Sequence, residues 1–419
     1  MISNNVAHFR AIVLACSFAI FAFSPYLTEH SAAQESAPSN SSPSRAAAAS
    51  DGGAKPSAQA SPVDLNGTDK AENTETNKDK PEKKERKGSF VFAPLPIVSP
   101  AIGSGIVPFL GYIFPFQTRD ENSPPSLVGL AGLITDNDTR AFALAGDIYF
   151  KQASYNLKSL YFRGNLDYNL YGVGYTSGNA GLKLPLEQTG QLFFIEFLRA
   201  LPWKFFVGGR FLTGNSSIRV KDTTGETPPI PADAGLDTQL RALGVTVTRD
   251  SRPNRFYPVE GSLIDFTGDF FADSLGSKYT FQSYNLTYNK YFSLGKKQVF
   301  AYNLFLCATG GEPPFYGNCI YGARNELRGY TAGRYLDRYM FATQLEYRLV
   351  LRWRLGVVGF GGIGGVAHNI GDFDGDQLLP GAGTGIRFTL SNKFHVNLRT
   401  DFAWGKDNFT WSMGVGEAF

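Results

Sequence analysis

Few side chains in this sequence are spaced for chemistry. His8, His30, His368 and His395 are scattered and make no zinc pattern. No Gly-x-Ser-x-Gly elbow, phosphate loop or carboxylate pair at catalytic spacing occurs, so no catalytic residue and no cofactor site is assigned. Asp372-Phe373-Asp374-Gly375-Asp376 alternates carboxylates as some calcium loops do, but it lacks the distal bidentate Glu and reads as an acidic surface turn, not a metal site. Cys307 and Cys319 have eleven residues between them, and in an oxidising compartment a disulfide would trim the segment they bound. A lipid-facing enzyme would need a Ser/His pair on an outer face, and none is apparent. The chemistry points away from an enzyme.

The elements that carry these residues are more informative. Of 419 residues, 40 Lys and Arg balance 37 Asp and Glu, so no field argues for nucleic acid or another polyanion partner. Three Cys are too few for a disulfide scaffold. The unusual entries are 35 Phe, 20 Tyr and 46 Gly with only 18% charged residues. That balance suits short strands with lipid on one side and water on the other.

Three segments differ in character. Arg10, an apolar core over residues 11–23 and the small residues Ser31-Ala32-Ala33 have the order of a secretory signal, so residues 1–33 are read as a cleaved leader. Its core is shorter than the roughly 17–25 residues a spanning helix needs. Residues 34–89 are polar, hold no aromatic residue before Phe90, and end in a mixed-charge run over 78–87. Such a stretch cannot bury enough apolar surface to offset chain entropy and is expected to be a disordered linker. Its charged end is either a tether to an anionic surface or a solvated spacer.

From residue 90 to 419 the chain alternates. In the stretch 341–352, Phe341, Thr343, Leu345, Tyr347, Leu349 and Leu351 share one face, and Gln344, Glu346, Arg348 and Arg352 the other. Phe394, Val396, Leu398 and Phe402 oppose Lys393, His395, Asn397, Arg399 and Asp401 in the same way. Alternation alone does not say which face packs inward. The export signal, the aromatic load and the end of the chain favour an all-β transmembrane barrel, apolar outside and polar inside, closed because lipid satisfies no backbone group. Sixteen antiparallel strands are read, the last over 410–419. Long connections at 215–236 and 310–340 fall at one end, and tight ones at Pro202, at Trp353 and Arg354, and at Ser391 and Asn392 fall at the other.

In the last strand, Trp411, Met413, Val415 and Phe419 are expected on one face, with Thr410, Ser412, Gly414, Gly416 and Ala418 on the other. Leu327-Arg328-Gly329-Tyr330 lies in the long connection before the twelfth strand. A turn holding Asp250, Arg252, Pro258 and Gly261 joins the eighth and ninth, and Pro94-Leu95-Pro96 opens the barrel. Together with Phe419 as an assembly signal, these resemble the bacterial surface antigen superfamily of BamA/TamA assembly factors and two-partner secretion transporters.

The resemblance covers residues 90–419 and implies a barrel of the bacterial outer membrane. There the sixth external loop folds into the lumen and its Arg pairs with acidic side chains on the inner wall. Arg328 would then pair with Glu346, Gly329 would let the loop backbone approach the wall, and Tyr330 would pack inside. The family's next strand carries Phe-x-Asp, whereas here Phe360-Gly361-Gly362 places Gly where that Asp would be. One acidic partner is therefore expected instead of two. Residues 34–89 are too short and too polar for the periplasmic POTRA domains through which family members recruit clients.

The resemblance implies a monomer in contact with outer-membrane lipid, working with assembly machinery and periplasmic chaperones in protein assembly or translocation, with lateral opening between first and last strands weakened by Gly414 and Gly416. The other reading is a passive pore or surface antigen that keeps the barrel without client handling.

Overall fold

The computed structural model describes residues 88–99, 101–116, 126–221, 237–254, 257–323, 326–391, 396–406 and 408–419. The leader and linker expected over residues 1–33 and 34–87 lie outside them. The strands are β1 (Ser89–Ser99), β2 (Gly103–Phe114), β3 (Ser126–Thr135), β4 (Arg140–Phe150), β5 (Tyr155–Leu170), β6 (Leu184–Leu201), β7 (Phe205–Val220), β8 (Asp237–Asp250), β9 (Gly261–Phe271), β10 (Phe281–Gly295) and β11 (Gln298–Gly311). After a pair of short strands, β12 (Cys319–Ile320) and β13 (Leu336–Asp337), come β14 (Tyr339–Arg352), β15 (Leu355–Ala367), β16 (Leu379–Ser391), β17 (Val396–Gly405) and β18 (Asn408–Val415). Sixteen of them close an antiparallel barrel in which β11 pairs with β14 and β18 with β1, while β12 and β13 pair only with each other. Closure leaves no open edge, as a membrane-spanning sheet requires.

The side-chain period of two sorts the wall. In β14, Leu345 and Tyr347 face out and are exposed, while Gln344, Glu346 and Arg348 face in and are buried. Direct cross-strand partners share a face, so the register carries this assignment around the barrel: Glu346 lies opposite Ala301 and Phe360, and Asp401 opposite Gly385. The outer face is largely aromatic and aliphatic, with Phe142, Phe193, Phe197, Leu243, Phe292 and Trp411 exposed.

The inner face is not uniformly polar, which corrects the simple alternation rule. Strands β14–β17 point Glu346, Arg348, Arg387, Asn397 and Asp401 inward, but β1–β6 point Leu95, Val107, Phe109, Leu127, Phe162 and Phe194 inward. In β2, Ile106 and Leu110 face out while Val107 and Phe109 face in, so both faces of that strand are apolar. The inward ionic groups gather mainly on β14–β17, with a smaller cluster on β5–β9.

Tight turns at Pro202–Lys204, at residues 296–297 and at Trp353 and Arg354 lie at one end, here the turn end. The turn expected at Ser391 and Asn392 runs into residues 392–395, outside the described residues. The opposite loop end carries the long connections. One, residues 171–183, holds the short helix α1 (Tyr175–Ala180), and another, residues 312–338, holds β12 and β13. Neither small element was expected from the periodicity, because each is too short to show one.

Candidate functional site: a loop and a tail joined by an ionic ring

The inner wall of β15, β16 and β17 is lined with glycine where the loop between β12 and β13 comes down. A Cβ at Gly405 would stand 2.6 Å from the carbonyl oxygen of Gly329 and 2.7 Å from the Tyr330 ring, and one at Gly381 would stand 2.7 Å from the carbonyl oxygen of Arg328. These separations are below any real Cβ contact, so the missing side chains are what let the loop lie on the wall. Gly329 itself has φ +109, a backbone region that L side chains rarely adopt. Tyr330 donates from its hydroxyl to Pro380 O at 2.6 Å and accepts from Lys406 N at 2.9 Å. Burial among Tyr321 and Tyr335 pushes its hydroxyl up to about 12.

Held this way, Arg328 reaches four partners. Its Nη2 donates to Glu346 Oε2 at 2.5 Å, its Nη1 to Asp401 Oδ2 at 3.1 Å and its Nε to Gln344 Oε1 at 3.2 Å. The guanidinium lies 3.4 Å from the centre of the Phe360 ring, a close cation–aromatic stack. Both carboxylates are shared onward. Glu346 Oε1 accepts from Arg348 Nε at 2.6 Å, and Asp401 Oδ1 accepts from Arg387 Nη1 at 2.6 Å.

The circle closes through the end of the chain. β18 stops at Val415, and Gly416, with φ +86, turns the backbone out of the strand while its N–H donates to Asn397 O at 2.6 Å. Glu417 is thereby carried into the lumen, where Oε2 accepts from Arg387 Nε at 2.8 Å and lies 3.9 Å from Arg348 Nε. Arg328, Glu346, Arg348, Glu417, Arg387 and Asp401 thus form a ring of alternating charge. The side chains of all six are at least 96% buried. Isolated charges could not persist there, and alternation is what makes the burial tolerable. Burial alone would raise the Glu417 carboxyl, but Arg387 and Arg348 outweigh it and hold it below the usual 4.5.

Two residues further, Phe419 packs on Tyr291 of β10 and Ala301 of β11, across the lumen from β18. Arg348 also donates from Nη1 to Pro258 O at 3.4 Å, which ties the β8–β9 turn to the tail. In that turn Arg252 makes a two-pronged pair with Asp250, 2.9 Å from Nε to Oδ1 and 2.9 Å from Nη2 to Oδ2, and its N–H donates to the same carboxylate. Tyr257 of the turn is pushed up to about 12, first by burial and then by the charge of Glu417.

The sequence from residue 143 to 419, more than half of the chain, matches the model of the Omp85 superfamily domain. The chain belongs to the Omp85 superfamily. Similar solved structures include BamA from Haemophilus ducreyi lacking POTRA domains 1-3, at 14% identity and TM-score 0.53 over 79% of this chain and 70% of that one. CdiB from Acinetobacter baumannii aligns at 13% identity and TM-score 0.50 over 79% of this chain and 65% of that one. CdiB from Escherichia coli aligns at 12% and 0.54 over 78% and 62% respectively. At such identities the likeness is one of fold. No curated protein sequence matches the chain. As an Omp85 barrel the protein resides in the outer membrane. Barrels of that membrane carry short turns on the periplasmic side and longer loops outside, which assigns the turn end to the periplasm.

Two expectations are corrected in this Omp85 barrel. Arg328 has a second acidic partner after all, supplied by Asp401 of β17. The position on β15 where an Asp was missed is closed to one here. A Cβ on Gly362 would stand 2.2 Å from Thr343 O and 2.7 Å from Leu327 Cδ1, so Gly362 makes room for Leu327. The second correction is Phe419, which does not share the outer face with Trp411 and Met413. Trp411 is exposed to the membrane side and Met413 faces out at the seam opposite Val98, whereas Phe419 is buried inside.

A second ionic cluster on the far arc was not singled out. Arg210 of β7 pairs with Asp269 of β9 at 2.7 and 2.8 Å, and Lys158 of β5 with Glu196 of β6 at 3.1 Å, while Thr246 donates to Glu196 at 2.6 Å. The available signal was one or two charges at inward positions of otherwise largely uncharged strand faces. Cys307 of β11 and Cys319 of β12 are joined as a disulfide with Cα atoms 5.8 Å apart, which anchors the long loop to the wall. The carboxylates of residues 372–376 serve their own turns: Asp372 accepts from Asn369 Nδ2 at 2.7 Å and Asp374 from Asp376 N at 3.2 Å.

Proposed function

We propose that this Omp85 barrel is a gated conduit for polypeptide, acting in outer-membrane protein assembly or translocation with partner components, and that the ionic ring is its latch. The observation that supports this reading is that one ring holds both closures. Arg328 belongs to the loop entering from outside, Glu417 to the tail crossing the periplasmic side, and the other four groups to the wall. A plain pore has no need of two closures that share their anchoring charges. The seam offers an exit for a client strand: β1 and β2 are registered from Ser89 to Ser99, whereas among the described residues β1 and β18 register at Val98 and Met413.

Planar-bilayer recording tests the reading. A latched conduit gives low, flickering conductance that rises on Arg328→Ala. Large, steady conductance unmoved by that substitution would make the protein a passive pore. Depletion in cells adds the biological arm, since a conduit for assembly or secretion leaves its clients in the periplasm.

A further inference from the structure

The outer rim of the turn end carries a charge pattern that neither the conduit nor its latch uses. Lys151, Arg199, Lys204, Lys296, Lys297 and Arg352 are all exposed there, and Glu260 is the single exposed carboxylate at that end among the described residues. The loop end is mixed and more acidic, with Asp136, Asp138, Asp237, Asp273, Glu312 and the three Asp of residues 372–376 exposed beside Arg140, Lys183, Arg219, Lys221 and Lys278. The basic groups are interleaved with aromatic rings. Lys151 lies 5.3 Å from the Tyr155 ring, Arg249 5.8 Å from Phe205, Lys290 5.5 Å from Phe292 and Arg354 5.9 Å from Trp353. Trp203 and Trp353 stand at the tips of tight turns with φ +62 and +60, and both are more than 80% exposed. A non-glycine residue at positive φ is strained, so these turns hold large amphipathic rings in place at some conformational cost.

We infer that this rim is a binding surface for the headgroups of anionic phospholipids in the periplasmic leaflet. Immediately above it the outer wall is hydrocarbon-facing, with Phe197, Leu201, Phe292, Leu351 and Leu355 exposed. A lipid whose acyl chains lie against that wall places its phosphate level with the basic side chains, which extend past the aromatic rings toward water. Charge complementarity selects an anionic headgroup over a zwitterionic one. Continuity with the lipid-facing wall favours a lipid over an acidic polypeptide. The inference does not depend on the barrel being a conduit.

The sequence contains four Trp, of which Trp404 and Trp411 lie away from this rim. In a Trp404→Phe, Trp411→Phe background, Trp203 and Trp353 alone report on it. The full-length barrel, shown folded by its heat-modifiable migration, is reconstituted into phosphatidylcholine vesicles in which a fixed fraction of lipid is replaced by brominated phosphatidylcholine or brominated phosphatidylglycerol. Quenching should favour brominated phosphatidylglycerol about fivefold, the preference one interfacial ionic contact supplies. High salt should weaken that preference. Substituting Lys204→Gln, Lys297→Gln and Arg352→Gln together should bring it close to one, and Lys183→Gln with Lys278→Gln at the loop end should leave it unchanged. Equal quenching by the two lipids would overturn the inference and leave the rim to an acidic protein partner. A preference that survives the triple substitution would overturn it as well.

Discussion

Arg348 donates through Nη2 to the main-chain oxygen of Phe419 across 2.9 Å, and the Phe419 ring lies 5.6 Å from its guanidinium carbon. A side chain in the middle of the wall therefore fixes the far end of the tail as well as one arc of the ring. Arg348→Ala removes the partner of Glu346 Oε1 and of the Phe419 oxygen together. Leaving buried acceptors unpaired should cost about 3–5 kcal/mol. The expected result is a lower denaturant midpoint for the heat-modifiable folded band and protease cleavage near residue 416. Arg348→Met, which keeps the bulk, should lose less stability while still freeing the tail.

Arg328 should not be replaceable by lysine. Three separate nitrogens reach Glu346, Asp401 and Gln344, and the planar group stacks on Phe360. An ammonium is a point charge without that fork. Arg328→Lys should thus behave like Arg328→Ala in bilayer conductance, with more frequent openings, although it preserves the charge. Wild-type conductance from the Lys variant would mean that charge alone holds the loop.

Restoring an acid at the inner position of β15 should harm the closure. Gly362→Asp puts a Cβ 2.2 Å from Thr343 O and 2.7 Å from Leu327 Cδ1, so the β14 backbone must shift and Leu327, with the loop that carries it, must move. The expected signature is protease cleavage between β12 and β13 and raised conductance. Combining it with Asp401→Asn should not rescue the closure, because Asp401 reaches Arg328 without displacing Leu327. Recovery in the double variant would show that the two positions are interchangeable.

What the sequence could reveal depended on contrast between the two faces of a strand. In β14 the outward Leu345 and Tyr347 flank the inward Glu346, and the period is plain. In β2, Ile106, Val107, Phe109 and Leu110 give no contrast, so the apolar inner arc was hidden. Asp401 was placed on the inner face with Arg399, but its meeting with Arg328, 73 residues away, depends on barrel register that no local pattern encodes. The tail was hidden for a different reason. Alternation runs unbroken through Gly416, and only a positive φ there, which glycine permits without requiring, turns Glu417 inward.

The disulfide should act on the loop more than on the barrel. Cys307 and Cys319 are 12 positions apart, and closing so short a loop in the unfolded chain is worth about 3 kcal/mol in the chain-entropy account. Cys307→Ser with Cys319→Ser should therefore lower the unfolding midpoint measurably. Because β12 pairs with β13 beyond Cys319, it should also loosen the segment that delivers Arg328. Reductant should raise the conductance of the wild-type barrel and leave the double variant unchanged.

Acid should release the tail before it unfolds the wall. Glu417 sits outside the strands, and its carboxyl is held below 4.5 by Arg387 and Arg348 against the opposing effect of burial. A carboxylate whose folded value is depressed contributes stability that is complete above its unfolded value and is lost as pH falls through the folded one. The latch should thus be intact at neutral pH and weaken progressively below about pH 4, just under the ordinary value of a free Glu. Protease access near residue 416, measured from pH 7 downward, should rise in that window. Glu417→Gln should raise access at neutral pH and remove the tail's share of the acid response, leaving whatever Glu346 and Asp401 contribute. An acid response unchanged in Glu417→Gln would place the sensitive group elsewhere in the ring.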